Sequence, residues 1–124
     1  MTSVRRFGCK PESVPAARQF VRDALRDQPR EILDAVELMA SELATNCVQH
    51  AQTSFELTID DSQRQIRIEV RDTGKGHPVP RSPAPTERTG RGLRIVEAMS
   101  GSWGIDPSSC GKTVWFTIPQ HARA

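Results

Sequence analysis

The 124-residue sequence lacks several features that would direct a chain to a membrane or to nucleic acid. No stretch approaches the roughly 18 apolar residues of a membrane-spanning helix, and the opening residues MTSVRRFG contain no apolar run of signal-peptide length. Lys and Arg number 17 against 15 Asp and Glu, and no basic run is interleaved with aromatic residues. Cysteine is scarce, and the three thiols have neither disulfide-framework nor metal-ligand spacing. These absences predict a cytoplasmic protein that does not enter a membrane or bind nucleic acid directly.

The apolar residues that are present predict one α+β domain, residues 1–124. A short extended VRRF precedes a helix that begins near Ser13, and a second helix restarts at Asp27 and Pro29. Its buried stripe consists of Ile32, Val36, Met39, Ala40, Leu43 and Cys47. Alternating apolar runs predict a hairpin over residues 55–70, and SWGID and TVWFTI predict two more strands. With a third helix from Gly92, we expect a two-layer sandwich: a mostly antiparallel mixed sheet with three helices on one face.

A long segment rich in proline and glycine interrupts these elements at residues 73–92. It contains four prolines and four glycines, which excludes a regular helix or strand. Loops of this length are uncommon inside a compact domain and are often functional lids or disordered segments. The segment therefore indicates that a site lies beside it.

The end of the second helix carries three polar residues four positions apart, Glu42, Asn46 and His50. Any one of them taken singly is most often solvated surface. Together, a carboxylate and an amide oxygen one turn apart at the edge of a buried stripe are suited to accept a nucleophile's proton and to hold a hard cation such as Mg²⁺. His50 either orients a phosphate or caps the helix end, and the cap is favoured.

Two glycine motifs provide further candidate binding residues. In RDTGKG a strand ends at Asp72, where a carboxylate can accept a hydrogen bond from an amine and the glycines permit close backbone approach. An ordinary polar turn explains this motif equally well. TGRGLRIVEAM leads two glycines into a helix whose N-terminal amides are suited to bind phosphate, although a glycine-rich helix entry with solvated arginines has the same sequence. Neither a Walker loop nor a dinucleotide fingerprint is present.

In this order and spacing the motifs resemble those of the GHKL superfamily of ATP-binding domains, which have the Bergerat fold, over nearly the whole chain. ELATN resembles the N box, VRDTGKG the first glycine box, TGRGLRIV the second, and GKTVWFTIP the closing strand of the adenine pocket. The resemblance implies ATP and Mg²⁺ as cofactors and a lid at about 77–91. The chain departs from the family in two places. His77 occupies a position that is commonly aliphatic in the family, and the lid is rich in proline.

The resemblance also implies a role for each matching residue. Glu42 would be the general base and Asn46 the Mg²⁺ ligand, while Asp72 would bind the adenine amino group and Thr113 would assist there. The glycines of the first box would allow backbone to approach the base. The residues of the second box would bind the phosphates. The residues of these two boxes are Gly74, Gly76, Gly90, Arg91, Gly92 and Leu93.

Within the superfamily, the short chain and the phrases ELATNxxxHA and GRGLRIVEA resemble the single-domain anti-sigma factor serine/threonine kinases of actinobacteria. The resemblance implies a sigma factor and an anti-anti-sigma-type antagonist protein as partners, transfer of the γ-phosphate to a Ser or Thr of the antagonist, and a possible homodimer through the N-terminal strand and first helix. A nucleotide-gated protein-binding module without kinase activity and a slow ATPase are the alternatives.

Overall fold

The computed structural model describes residues 1–62, 64–72, 100–108 and 111–119 of the chain. Over these residues the chain forms a five-stranded antiparallel sheet and two helices that pack on one of its faces. The strands are β1 Thr2–Phe7, β2 Phe55–Asp61, β3 Gln65–Asp72, β4 Ser102–Ser108 and β5 Gly111–Pro119, in the spatial order β1-β2-β3-β5-β4. The predicted α+β sandwich is confirmed; the predicted third helix and the lid lie outside the described residues.

The first helix begins at the predicted Ser13, whereas the second begins at Arg30, three residues after the predicted Asp27. α1 spans Ser13–Ala24, and α2 spans Arg30–Thr45 directly after Pro29, whose extended backbone precedes the first helical turn. The Arg22 guanidinium joins the two helices by donating to both carboxylate oxygens of Glu37, at 2.8 and 3.2 Å. No helix in the described ranges has the length and apolar character needed to span a bilayer.

The core lies between the helices and the inner face of the sheet. Period-two alternation turns one set of strand residues toward the helices, and the helical stripe covers them. Phe7 stacks on Phe55 with ring centroids 5.2 Å apart and meets Phe20 edge to face at 6.0 Å, which seals β1 against α1. The most completely buried large side chains are Phe55, Phe116, Leu25, Met39, Leu57, Ile59, Ile66, Ile68, Val21 and Val36.

The outer face of the sheet is mostly polar, and in the described strands its one aromatic side chain is Trp115. The guanidinium of Arg67 lies 4.3 Å from the Trp115 ring centroid and donates to Glu69 at 2.8 Å. The indole also covers Gly104 on β4, where a Cβ would lie 2.8 Å from the ring. Arg67, Glu69 and Trp115 thus interact with one another or with the neighbouring strand on this face, and the apolar core lies on the helix side.

A six-residue π-helical turn, Asn46–Ala51, follows α2 directly. The chain leaves it through Gln52, whose left-handed backbone (φ 56°) lets its N–H donate to the Cys47 carbonyl, and Thr53 N–H reaches the same carbonyl at 3.2 Å. Backbone groups thus cap the helix end. His50 is in the last turn and exposed, so it lies near the helix C-terminus as predicted. The π-helical geometry was not predicted from the sequence.

Candidate functional site

The candidate site lies where the end of α2 meets the end of β3. Glu42 and Asn46 remain one turn apart at the start of the π-helical turn, because the Asn46 N–H donates to the carbonyls of both Glu42 and Leu43. Both side chains are half-buried, whereas His50 is exposed. His50 lies within the π-helical turn, whose i→i+5 hydrogen bonding replaces the i→i+4 bonding of α2.

The Glu42 carboxylate and the Asn46 amide make no hydrogen bond or ion pair with any other side chain in the described part of the chain. The other polar residues of α2 differ in this respect. Ser41 accepts a hydrogen bond from Arg18 at 3.1 Å, and Glu37 is held by Arg22. The two predicted functional side chains are thus placed by their backbone and by packing rather than by polar partners.

Asp72 is the last residue of β3 and is buried with the core side chains of the inner face. It is only 7% exposed, and a carboxylate this deeply buried almost always has a polar or charged partner. The Lys112 ammonium lies 3.2 Å from its Oδ2, and the Lys112 backbone N–H donates to its Oδ1 at 3.3 Å. One residue of β5 therefore contacts both oxygens of the carboxylate.

Gly111 is required for this arrangement. Its φ of +149° is a conformation that side-chain-bearing residues rarely adopt, and a Cβ placed on it would lie 2.5 Å from both the backbone oxygen and the Oδ1 of Asp72. The backbone at the start of β5 consequently lies in close contact with Asp72. The glycine allows Lys112, the next residue, to donate its N–H to the carboxylate.

Cys47 connects the helix end to the strand end. Its buried thiol has a pKa raised to about 12, first because burial disfavours the thiolate and second because the negative charge of Asp72 is close. The positive charge of Lys112 acts in the opposite direction on the same thiol. Cys47 immediately follows Asn46, so the end of α2 is close enough to β3 for the charge of Asp72 to act on the Cys47 thiol. Glu42 and Asn46 lie at that helix end, and Asp72 lies on the face of the sheet that the helices cover.

Thr113 does not share this position. It pairs with Arg71 on β3 and Asp106 on β4, and it alternates with Val114, whose side chain is in the core. Its side chain therefore belongs to the outer face of the sheet, opposite Asp72. Lys112 occupies the corresponding place on the inner side, and sequence reasoning missed it. Counting back two residues from Val114 along the strand would have identified it.

The remaining predicted residues lie outside the part of the chain that the structure describes. These are the residues of the two glycine boxes, Gly74, Gly76, Gly90, Arg91, Gly92 and Leu93. Within the described ranges no group of three or more His, Cys, Asp or Glu side chains could hold a metal ion by itself. An oxygen donor such as Asn46 nevertheless fits Mg²⁺, which commonly keeps several waters and uses one or two protein ligands together with phosphate oxygens.

Comparison with solved structures identifies chains of the same fold. The RsbU and RsbW domains of Rv1364c from Mycobacterium tuberculosis match with a TM-score of 0.78 at 16% identity, over 100% of this chain and 34% of that one. The blue-light activated histidine kinase of Erythrobacter litoralis EL346 matches with a TM-score of 0.61 at 27% identity, over 76% of this chain and 32% of that one. The present chain thus spans about a third of the length of either protein.

A third solved structure has nearly the same length. The catalytic domain of histidine kinase ThkA matches with a TM-score of 0.57 at 12% identity, over 98% of this chain and 99% of that domain. A comparison with curated proteins finds no match. The family model of the histidine kinase-like ATPase domain matches residues 7–118, a range that includes Glu42, Asn46, Asp72 and both glycine motifs. The chain belongs to the family of histidine kinase-like ATPase domains, of the GHKL type.

Proposed function

We propose that this chain is an ATP-dependent serine/threonine protein kinase of the anti-sigma factor type. The observation that carries the proposal is the pair Glu42 and Asn46 one turn apart at a helix end, together with the buried Asp72 carboxylate at a strand end, within a chain that belongs to an ATPase-domain family. Its acceptor would be a Ser or Thr of an antagonist protein. The fold is similar to that of the RsbU and RsbW domains of Rv1364c. This similarity supports the proposal that the chain has protein partners, namely a sigma factor and its antagonist.

Each described residue of the site would do a separate part of this work. Asp72 would accept a hydrogen bond from the adenine amino group, since a carboxylate is an acceptor and adenine has one amino donor. Asn46 would supply a protein oxygen ligand to Mg²⁺, whose charge, when bound, balances that of the phosphates. Glu42 would accept the proton of the attacking hydroxyl. The half-buried position of Glu42, with no competing polar partner among the described residues, suits that role.

The chain's contribution to phosphoryl transfer would be mainly positioning and electrostatics. Glu42 and Asn46 are fixed relative to each other by the hydrogen bond from the Asn46 N–H to the Glu42 carbonyl. Asp72 is fixed by residue 112. A nucleotide bound to Asp72 would therefore extend toward the helix end along a rigid framework, and Gly90, Arg91 and Gly92 would contact its phosphates.

Transfer of labelled γ-phosphate tests the proposal. The purified protein, ATP and Mg²⁺ are added to an extract of the source organism, and the wild type is compared with Glu42→Gln, which keeps the shape of the side chain and removes the base. Glu31→Ala is the matched control because Glu31 is an exposed glutamate on the same helix. We expect a labelled protein band with the wild type and the control, and a loss of labelling of about a hundredfold or more with Glu42→Gln while ATP binding persists.

The same experiment separates the alternatives. If ATP binds and no acceptor is labelled, the protein is better described as a nucleotide-gated binding module. Steady release of phosphate without any acceptor would instead identify a slow ATPase. A homodimer through β1 and α1 is a separate proposal, for which the exposed Val4 on the edge strand β1 is the available apolar contact. Light scattering on the wild type and Val4→Lys would test it.

A further inference from the structure

The Lys112 ammonium contacts the Asp72 carboxylate, but the proposed function gives a role only to the backbone of this residue. Its ammonium is 3.2 Å from Asp72 Oδ2, and the side chain is 47% exposed while that of Asp72 is 6% exposed. The ion pair therefore lies at the boundary between the buried strand end and the solvent. A ligand that reaches the carboxylate must come close to the ammonium as well.

The edge of adenine offers two kinds of group to such a pair. Its exocyclic amino group is a donor, and the ring nitrogens flanking it are acceptors. A carboxylate is acceptor-only and an ammonium is donor-only, with three N–H groups. Lys112 can thus donate to Asp72 and to a ring nitrogen at the same time. The separation of 3.2 Å between the two protein groups suits neighbouring positions on one base edge.

We propose that Asp72 and Lys112 together recognise adenine, with Asp72 accepting from the amino group and Lys112 donating to the ring nitrogen beside it. Lys112 is then a residue that determines base specificity. This inference rests on the proposed nucleotide-binding function of Asp72. A keto purine in the same pose would place its carbonyl oxygen against the carboxylate, and it would also place a ring N–H against the ammonium when the contacted nitrogen is the one in the six-membered ring.

The backbone makes the side chain of Lys112 separable from the rest of the site. The hydrogen bond to Asp72 Oδ1 comes from the Lys112 backbone N–H, which every residue except proline provides. Lys112→Met therefore removes the ammonium and keeps the carboxylate oriented by that bond. Gly111, which sets the course of the backbone, is unchanged in this variant.

Calorimetric titration with three nucleotides tests the proposal: ATP, 1-deaza-ATP and 7-deaza-ATP, each analogue lacking one ring nitrogen beside the amino group. We expect the wild type to bind one of the analogues about ten- to hundredfold more weakly than ATP, the usual range for loss of a charged hydrogen bond. Lys112→Met should bind ATP and that analogue equally, and Lys112→Arg should restore part of the difference. Lys10→Met, at an exposed lysine, is the control and should behave as the wild type.

Two results would overturn the inference in distinguishable ways. If ATP binds but the penalty for both analogues is the same in the wild type and in Lys112→Met, Lys112 does not contact the base. If the wild type binds no ATP, the proposed function fails and this inference fails with it. A melting temperature of Lys112→Met close to that of the wild type shows that folding is not the cause of either result.

Discussion

Replacing Gly111 by alanine would test the contact on which the position of Asp72 depends. The new Cβ would lie 2.5 Å from two Asp72 oxygens, one of them in the backbone, and the φ of +149° would be strained for alanine. Strained backbone costs about 1 to 3 kcal/mol and overpacking a similar amount, so we expect the free energy of unfolding to fall by about 2 to 6 kcal/mol. The Asp72 carboxylate should also move, which would weaken ATP binding.

Urea denaturation measures the first effect and calorimetric titration the second. Gly8→Ala is the matched control, because its Cβ would meet only the flexible Lys10 side chain, with the nearest atom, Cε, at 3.4 Å. We expect the control to change the free energy of unfolding by less than about 0.5 kcal/mol. An equally small change in Gly111→Ala would refute the reasoning, since the backbone of β5 would then not approach Asp72 as closely as described.

Two further predictions concern the same end of the molecule. Asp72→Asn should weaken ATP binding by about 1 to 3 kcal/mol, because the amide can present an N–H where the base needs an acceptor; unaltered affinity by calorimetry would contradict the adenine assignment. Cys47 should make stability fall as pH rises above 9, because its pKa is raised from 9.0 to about 12 on folding and the unfolded thiol ionises first. The wild type should therefore lose about 1.4 kcal/mol per pH unit more than Cys47→Ala between pH 9 and 12, and parallel pH profiles in chemical denaturation would count against the buried thiol.

The fold could be predicted because its elements have strong and separate periodicities. Val21 and Leu25 repeat with helical spacing and Ile66, Ile68 and Val70 with strand spacing, and all five are buried in the core. The helix starts at Ser13 and Arg30 follow from proline and from the onset of the apolar stripes. These signals are local, so the sequence alone carries them.

The site was less predictable because it depends on register and on contacts between distant segments. Asn46 opens a π-helical turn for which the sequence shows no local signal. The pairing of Asp72 with Lys112 joins residues 40 positions apart. The family motif predicts Thr113 at the adenine, and strand alternation places its neighbour Lys112 on the inner face with Asp72.

The position of β3 in the middle of the sheet bears on how long the site persists. β3 is paired on both sides, so its amides donate to neighbouring strands and exchange with solvent hydrogen only when the strand that accepts their hydrogen bonds separates. The edge strands β1 and β4 can fray without moving Asp72. The carboxylate is therefore carried by a central strand, and we expect its place in the site to persist while the edges of the sheet open.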